Sequence, residues 1–284
     1  MSTSTLADQW VPRAARIREL RDGWRRIGEQ TRFYGKALGS VAHAVIYYRA
    51  EVLRQIAAMS LGTGSLAIIG GTVAVVSFIT MSNAGALASQ GYNQLSQIGV
   101  EALNGFASAF VNTRLVIPFT AGIAFAATIG AGSTAQLGAM RINEEIDALE
   151  VMGIRSIAYL ASTRIGAGVF VVIPLYCVGL LLGYTAGYFV TTLIYGQSSG
   201  VYQHYFNTFL IPADLLRSFV VTIAEVTVIM LIHTYHGYTA AGGPAGVGKA
   251  VGRATRTSLI GAAFIVLFVT LALYGQTGNF NFAG

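Results

Sequence analysis

Charge is what this chain lacks most. Only 11% of its 284 residues are Asp, Glu, Lys or Arg, and 54% are hydrophobic. Soluble domains average about 25% charged residues. So few charges cannot cover a water-facing surface of this size, which excludes a soluble globular protein and a disordered chain. The 34 glycines show no three-residue period, so a collagen is excluded too. Cys177 is the only cysteine, which leaves no intramolecular disulfide framework and no cysteine metal site. Lying in an apolar run, it is expected as a small core residue. The first apolar run begins after residue 54, too late for a secretory leader. Of the four histidines only His233 and His236 are close, at i, i+3, and two ligands do not make a zinc site. They read as polar residues near a membrane face. No nucleophile–base set appears either, so neither catalytic residues nor a metal site is expected. What remains is an all-α polytopic membrane protein.

The gaps between charges measure its spans. None occurs from Gln55 to Val100, Leu115 to Met140, Ile165 to Ala213, or Thr257 to the end. A spanning helix needs about 20 mostly apolar residues. This predicts five spans at about 57–82, 115–139, 165–192, 214–236 and 257–275. Six is the alternative if the glycine-rich first segment is a broken pair. The polar stretch 195–208 is read as an outer loop, with room for a short surface helix. Sixteen of the 18 basic residues fall on one side of this map, and only Arg114 and Arg217 on the other. By the positive-inside rule the N-terminus is cytoplasmic and the C-terminus outside. The net charge of +6 is then a topology signal. Nucleic-acid binding would need a folded basic domain, which is not apparent.

Residues 1–54 read as a basic segment on the cytoplasmic membrane surface, and 55–284 as the membrane domain. Ile17, Leu20, Trp24 and Ile27 recur at helical spacing, as do Tyr34, Leu38, Val41, Val45, Tyr48 and Val52. Apolar faces flanked by Arg, Lys and Trp suit helices lying in the headgroup region.

Gly243–Lys249 fits the first seven positions of a phosphate-binding P-loop. Ala250 stands where a magnesium-binding hydroxyl is required, and no β-strand precedes it. A flexible glycine-rich loop is the expectation. Glu225 falls about halfway along span four, where a carboxylate is costly. It is read as neutral or bonded to a neighbour such as Thr222 or Thr227, with a proton relay as the functional reading. Glu225 and Arg114 form the candidate intramembrane polar site. The connection between spans two and three carries Glu144, Glu145, Asp147 and Glu150 between Arg141 and Arg155. Ile142, Ile146, Leu149 and Met152–Gly153 mark an apolar edge. Four carboxylates on an otherwise basic side suit a docking helix at 141–153 that offers charge and apolar surface to a soluble partner. A solvated acidic turn is the plainer reading.

At these residues the sequence resembles the MlaE/YrbE permeases, membrane subunits of ABC-type lipid transporters that work with MCE-domain proteins. That family carries a stretch close to R-E-L-G-P, then A-G-R-x-G, then A-E-x-G-x-M-R-x-x-E-Q-I-D-A-L-x-x-M. Arg114 and Pro118 match the first piece, Ala126 and Gly130 the second. Gly138, Met140, Arg141, Glu144, Ile146, Asp147, Ala148, Leu149 and Met152 match the third. Leu115, Thr128 and Gln136 replace a Glu, an Arg and a Glu, and Ile117 replaces a Gly. Residues 236–259 resemble the family's glycine-rich stretch before its last span, and the likeness covers about 110–280.

The resemblance implies an N-terminal interfacial helix, five spans and a cytoplasmic coupling helix between spans two and three. ATPase coupling would fall to Arg141, Glu144, Glu145, Asp147, Leu149, Met152 and Gly153. This chain would bind no cofactor, ATP and magnesium being held by a separate ATPase. Loss of three charges from span two points to a heterodimer with a paralogous YrbE-type permease of an actinobacterial MCE system. MCE proteins would stand on the outer side, and lipid or fatty acid would be moved across the cell envelope. The spans' scarcity of polar residues agrees with a lipid cargo. A proton-coupled secondary transporter using Glu225 is the alternative, though no inverted repeat supports it.

Overall fold

The computed structural model describes residues 13–61 and 71–275, with side chains from Trp24 onward except those of Arg26 and Leu61. Among the described residues ten helices follow in order. They are α1 (Arg13–Gly39), α2 (Val41–Tyr47), α3 (Arg49–Leu61), α4 (Gly71–Ser96), α5 (Glu101–Ile142), α6 (Glu145–Val151), α7 (Ile157–Ile194), α8 (Ser199–Phe209), α9 (Pro212–Tyr238) and α10 (Gly243–Tyr274). Five of them, α4, α5, α7, α9 and α10, are long and apolar enough to cross a membrane. They alternate in direction. One end of the bundle carries α1–α3 and α6, the basic end; the other carries α8.

The third and fourth spans fall close to expectation, and α8 is the short helix allowed in 195–208. Span one does not. The stretch read as 57–82 divides between the end of α3 and a span that begins at Gly71, with 62–70 outside the described residues. The 46-residue charge gap leaves the start of this span unmarked, whereas Arg155 and Pro212 mark the starts of α7 and α9. Span five begins at Gly243 and absorbs the expected flexible loop. Gly242 takes a left-handed conformation as its cap (φ 91°), and Pro244 lies in the first turn, where a missing N–H costs nothing.

The apolar face at 34–52 is interrupted at Ser40 and Tyr48, dividing it among the end of α1, α2 and the start of α3 rather than one helix. Val52 is buried, and Val45 and Val41 lie against Gly166 of α7. Trp24, Ile46, Tyr47 and Leu53 remain exposed, as an interfacial segment requires. Of the first apolar run, the Ile17 and Leu20 side chains lie outside the described residues. α3 also crosses the expected 54/55 boundary.

Small residues set the packing. A Cβ on Gly183 would meet Ile117 at 2.7 Å, and one on Gly168 would meet Met230 at 2.9 Å. α5, α9 and α10 pack against one another, while α7 lies against α4 and α9. Such close approach is how helices associate where no hydrophobic drive separates them from lipid. α5 widens to π-helical turns at Ser108–Val116 and Ala126–Gly130. The first precedes Pro118, whose missing N–H is accommodated there. Cys177 is exposed on α7, not in the core as expected.

Candidate functional site

The acidic connection is shorter as a helix than the sequence suggests. α6 spans seven residues, and Glu144 before it takes φ 59°, a left-handed conformation that breaks the chain away from α5. Gly153, at φ 76°, turns it back. Ile146 is fully buried with Leu137 and Leu160, and Met140, Leu149 and Tyr238 pack against them. This apolar contact seats α6 on the ends of α5 and α7.

Two polar clamps then fix it. Arg141 Nη1 donates to Asp147 Oδ1 at 2.5 Å, joining α6 to the end of α5. Ser156 Oγ donates to Glu150 Oε1 at 2.6 Å, and Tyr238 Oη donates to the same oxygen at 3.0 Å. The two hydroxyls lie 2.8 Å apart. Glu150 is thereby tied to the last residue of α9. Asp147, Glu150 and Arg141 are used within the chain. Glu144, Glu145, Val151 and Met152 stay in the open, Val151 at 89% and Met152 at 65% exposure.

Glu225 and Arg114 are not brought together. Eleven residues along α9, about 16 Å at the helical rise, separate Glu225 from Asp214, and Asp214 holds Arg114. Arg114 Nη2 lies 2.5 Å from Asp214 Oδ2, while Arg217 Nη1 takes Oδ1 at 2.9 Å. The Arg114 guanidinium also sits over the Phe110 and Tyr274 rings. Glu225 is fully buried against Gly122 of α5, and neither carboxyl oxygen has a hydrogen-bond partner. Thr222 and Thr227, its expected partners, bond instead to the backbone carbonyls of Ser218 and Ile223.

Eight residues further along both helices the contact repeats. His233 packs against Gly130, where a Cβ would meet its Cδ2 at 2.6 Å. Its Nδ1 lies 2.7 Å from Thr134 Oγ1 and its Nε2 3.0 Å from Ser258 Oγ. One buried imidazole thus links α5, α9 and α10. The sequence placed His233 at a membrane face, because its partners are 99 and 25 residues away and leave no local pattern.

Arg164, one of the basic residues that the expected spans leave in the connection between spans two and three, is 2% exposed. Its Nη1 donates to the Leu160 carbonyl at 2.9 Å, and Nη2 lies 3.9 Å from Met140 Sδ. The charge of Glu51 acts on it across the α3–α7 contact. Burial pushes the Glu51 carboxyl up, but hydrogen bonds from Arg54 and Gln55 outweigh that and hold it below the usual range. A cavity of about 460 Å³ opens beside α3, bounded by Gln55, Thr72, Thr128, Ser133 and Gln136. Two of the three replaced span-two charges, at 128 and 136, therefore face one space.

Five apolar helices closed around buried polar contacts, with a short helix held outside them, define a multi-pass membrane protein. No cluster of potential metal ligands occurs among the described residues. A family profile described as Permease MlaE matches residues 62–272, and the chain belongs to that family. It is similar to a probable ABC transporter permease protein of Rickettsia bellii, 27% identical over 85% of this chain and 92% of the relative. A probable ABC transporter permease protein of Synechocystis is 25% identical over 59% of this chain and 64% of the relative. The chloroplastic protein TRIGALACTOSYLDIACYLGLYCEROL 1 of Arabidopsis thaliana is 26% identical over 67% of this chain and 54% of its own length. The chain is a membrane permease of an ABC-type transporter.

Proposed function

We propose that this permease moves lipid or fatty acid across a cell-envelope membrane, driven by a separate ATPase that docks on α6. ATP and magnesium belong to that partner. The observation that carries the reading is α6 itself: it is clamped to α5 through Asp147 and to α9 through Glu150, yet leaves Val151 and Met152 in the open. A short element fixed at two points to different spans passes on a push rather than absorbing it. Glu144 and Glu145 add charge that steers encounter with a basic partner surface. The basic end is then cytoplasmic, with the C-terminus outside beside MCE-domain proteins. A lipid cargo is supported by the apolar spans and by the Arabidopsis relative, which is named for a diacylglycerol lipid.

The second permease subunit is a paralogue that supplies the charges missing at Leu115, Thr128 and Gln136. Expressing the chain with the ATPase, with and without the paralogue, and following labelled lipid in proteoliposomes tests this. Transport is expected only with both, and Glu145→Lys with Val151→Asp is expected to release the ATPase while leaving insertion intact. A lipid-transporting homodimer refutes the heterodimer, and a double variant that keeps its ATPase refutes the docking site. The competing reading, a proton-coupled carrier, is favoured by the unpartnered carboxyl of Glu225. It requires Glu225→Gln to abolish transport and an imposed proton gradient to replace ATP.

A further inference from the structure

α10 presents two unlike faces. Gly246, Ala250, Ala254, Ser258, Ala262 and Val266 step by four and are buried against the bundle. On the opposite side Lys249, Arg253, Arg256, Ile260, Phe264, Leu267 and Leu271 step by three or four, so all share one stripe. Every one of them is exposed, with Ile260, Phe264, Leu267 and Leu271 between 52% and 61%. α10 is also the least buried of the five spans.

The charged end of the stripe is concave. Lys249, Arg253 and Arg256 rim a pocket of about 320 Å³ whose remaining walls are Ala241, Gly246 and Gly252. At Gly252 a Cβ would meet nothing within 4 Å, so a bulky group has room to approach the helix backbone there, whereas the space at Gly246 is filled by the Ala241 carbonyl. Among the described residues none of the three cations is paired with a carboxylate, whereas Arg54, Arg114, Arg141 and Arg217 all are. Arg256 spends only its Nε, on the Gly252 carbonyl at 3.1 Å. Three uncompensated positive charges around a pocket fit a phosphate-bearing anion.

The apolar end identifies which anion. Ile260 to Leu271 covers eleven residues, about 16 Å at the helical rise. Half of a hydrocarbon core of about 30 Å is about 15 Å. The stripe therefore has the length of one leaflet, with the cationic pocket at the headgroup level. We propose that α10 binds one anionic phospholipid in the leaflet at the basic end. Its phosphate lies among Lys249, Arg253 and Arg256, and an acyl chain lies along Ile260, Phe264, Leu267 and Leu271. This site rests on the spanning of α10 alone, not on the transport reading.

Native mass spectrometry tests it on the full chain, alone and with its partner subunits. The protein is released from nanodiscs of equal phosphatidylglycerol and phosphatidylcholine. Wild type is expected to retain phosphatidylglycerol selectively. A Lys or Arg near the surface contributes about fivefold to anionic lipid binding, so Lys249→Gln, Arg253→Gln and Arg256→Gln together are expected to lower the selectivity on the order of a hundredfold. Arg253→Gln alone, expected to cost about fivefold, serves if the triple variant fails to fold. Long-chain phosphatidylglycerol is expected to resist displacement by inorganic phosphate and by dihexanoyl phosphatidylglycerol. Displacement by inorganic phosphate at comparable concentration would reveal a free-phosphate site and overturn the proposal. Unchanged selectivity in the variants overturns it too. So does loss of the lipid once partner subunits bind, which would make the stripe a subunit contact.

Discussion

Tyr238→Phe isolates the clamp between α6 and α9. The substitution keeps the ring, which packs 5.4 Å from Phe33 and against the Leu137, Ile146 and Leu160 cluster. It removes one hydroxyl, which donates to Glu150 Oε1 at 3.0 Å and lies 2.8 Å from Ser156 Oγ. With Glu150 ionised, Ser156 and Tyr238 supply two hydrogens to three oxygen–oxygen contacts, so Ser156 keeps its bond when Tyr238 loses its own. A hydrogen bond to a charged group contributes about 1.5–3 kcal/mol when buried. Glu150 is exposed and Tyr238 only half-buried, so screening reduces this to about 1 kcal/mol. That corresponds to roughly a fivefold change in the fraction of α6 held against α9, since about 1.4 kcal/mol is tenfold. The assay is lipid moved per ATP hydrolysed in proteoliposomes. ATPase association and hydrolysis are expected to persist, while lipid moved per ATP falls severalfold. Tyr238→Phe combined with Ser156→Ala is expected to uncouple further. Unchanged stoichiometry in the double variant would refute the clamp as a route for force.

Three further outcomes follow from the buried polar groups. Asp214→Asn leaves Arg114 and Arg217 without a counter-ion, and breaking such a partly buried pair is expected to cost about 3 kcal/mol, read as a lower thermal midpoint in detergent. Gly130→Ala drives a methyl into an imidazole fixed at both nitrogens, and overpacking of this kind costs about 1–3 kcal/mol; a second change, Ser258→Ala, should recover part of it by freeing the ring. Glu51 has a folded-state pKa below its unfolded value of about 4.3. Its stabilisation is therefore present above that value and lost as pH falls through the folded pKa. Wild type should lose thermal stability in that acid range, whereas Glu51→Gln should start lower and lose less there.

What the sequence made legible is what charge and local periodicity encode. The third and fourth spans start where a charge or a proline marks them, at Arg155 just before Ile157 and at Pro212, and the acidic run before Met152 located α6. Three kinds of feature escaped. The break at Glu144 is a left-handed residue outside glycine, and no motif announces it. Arg164 and His233 are buried by partners far away in the chain, so each read as an ordinary polar residue at a helix end. The start of α10 was misread although its signals were present: Gly242 and Pro244 cap a helix as readily as they populate a loop. That misreading also hid the stripe, since a loop at 240–250 would not place Lys249 and Arg253 on the face of Ile260.

Residue-specific photo-crosslinking from Met152 in intact cells tests the central claim most directly. At 65% exposure the side chain is open in the isolated chain, so any close partner must reach it. A crosslinker at position 152 is expected to capture a protein whose sequenced peptides include nucleotide-binding motifs, with capture lost in Glu145→Lys with Val151→Asp. Crosslinks to lipid alone, or to a protein without ATP-binding sequence, would contradict docking of an ATPase on α6.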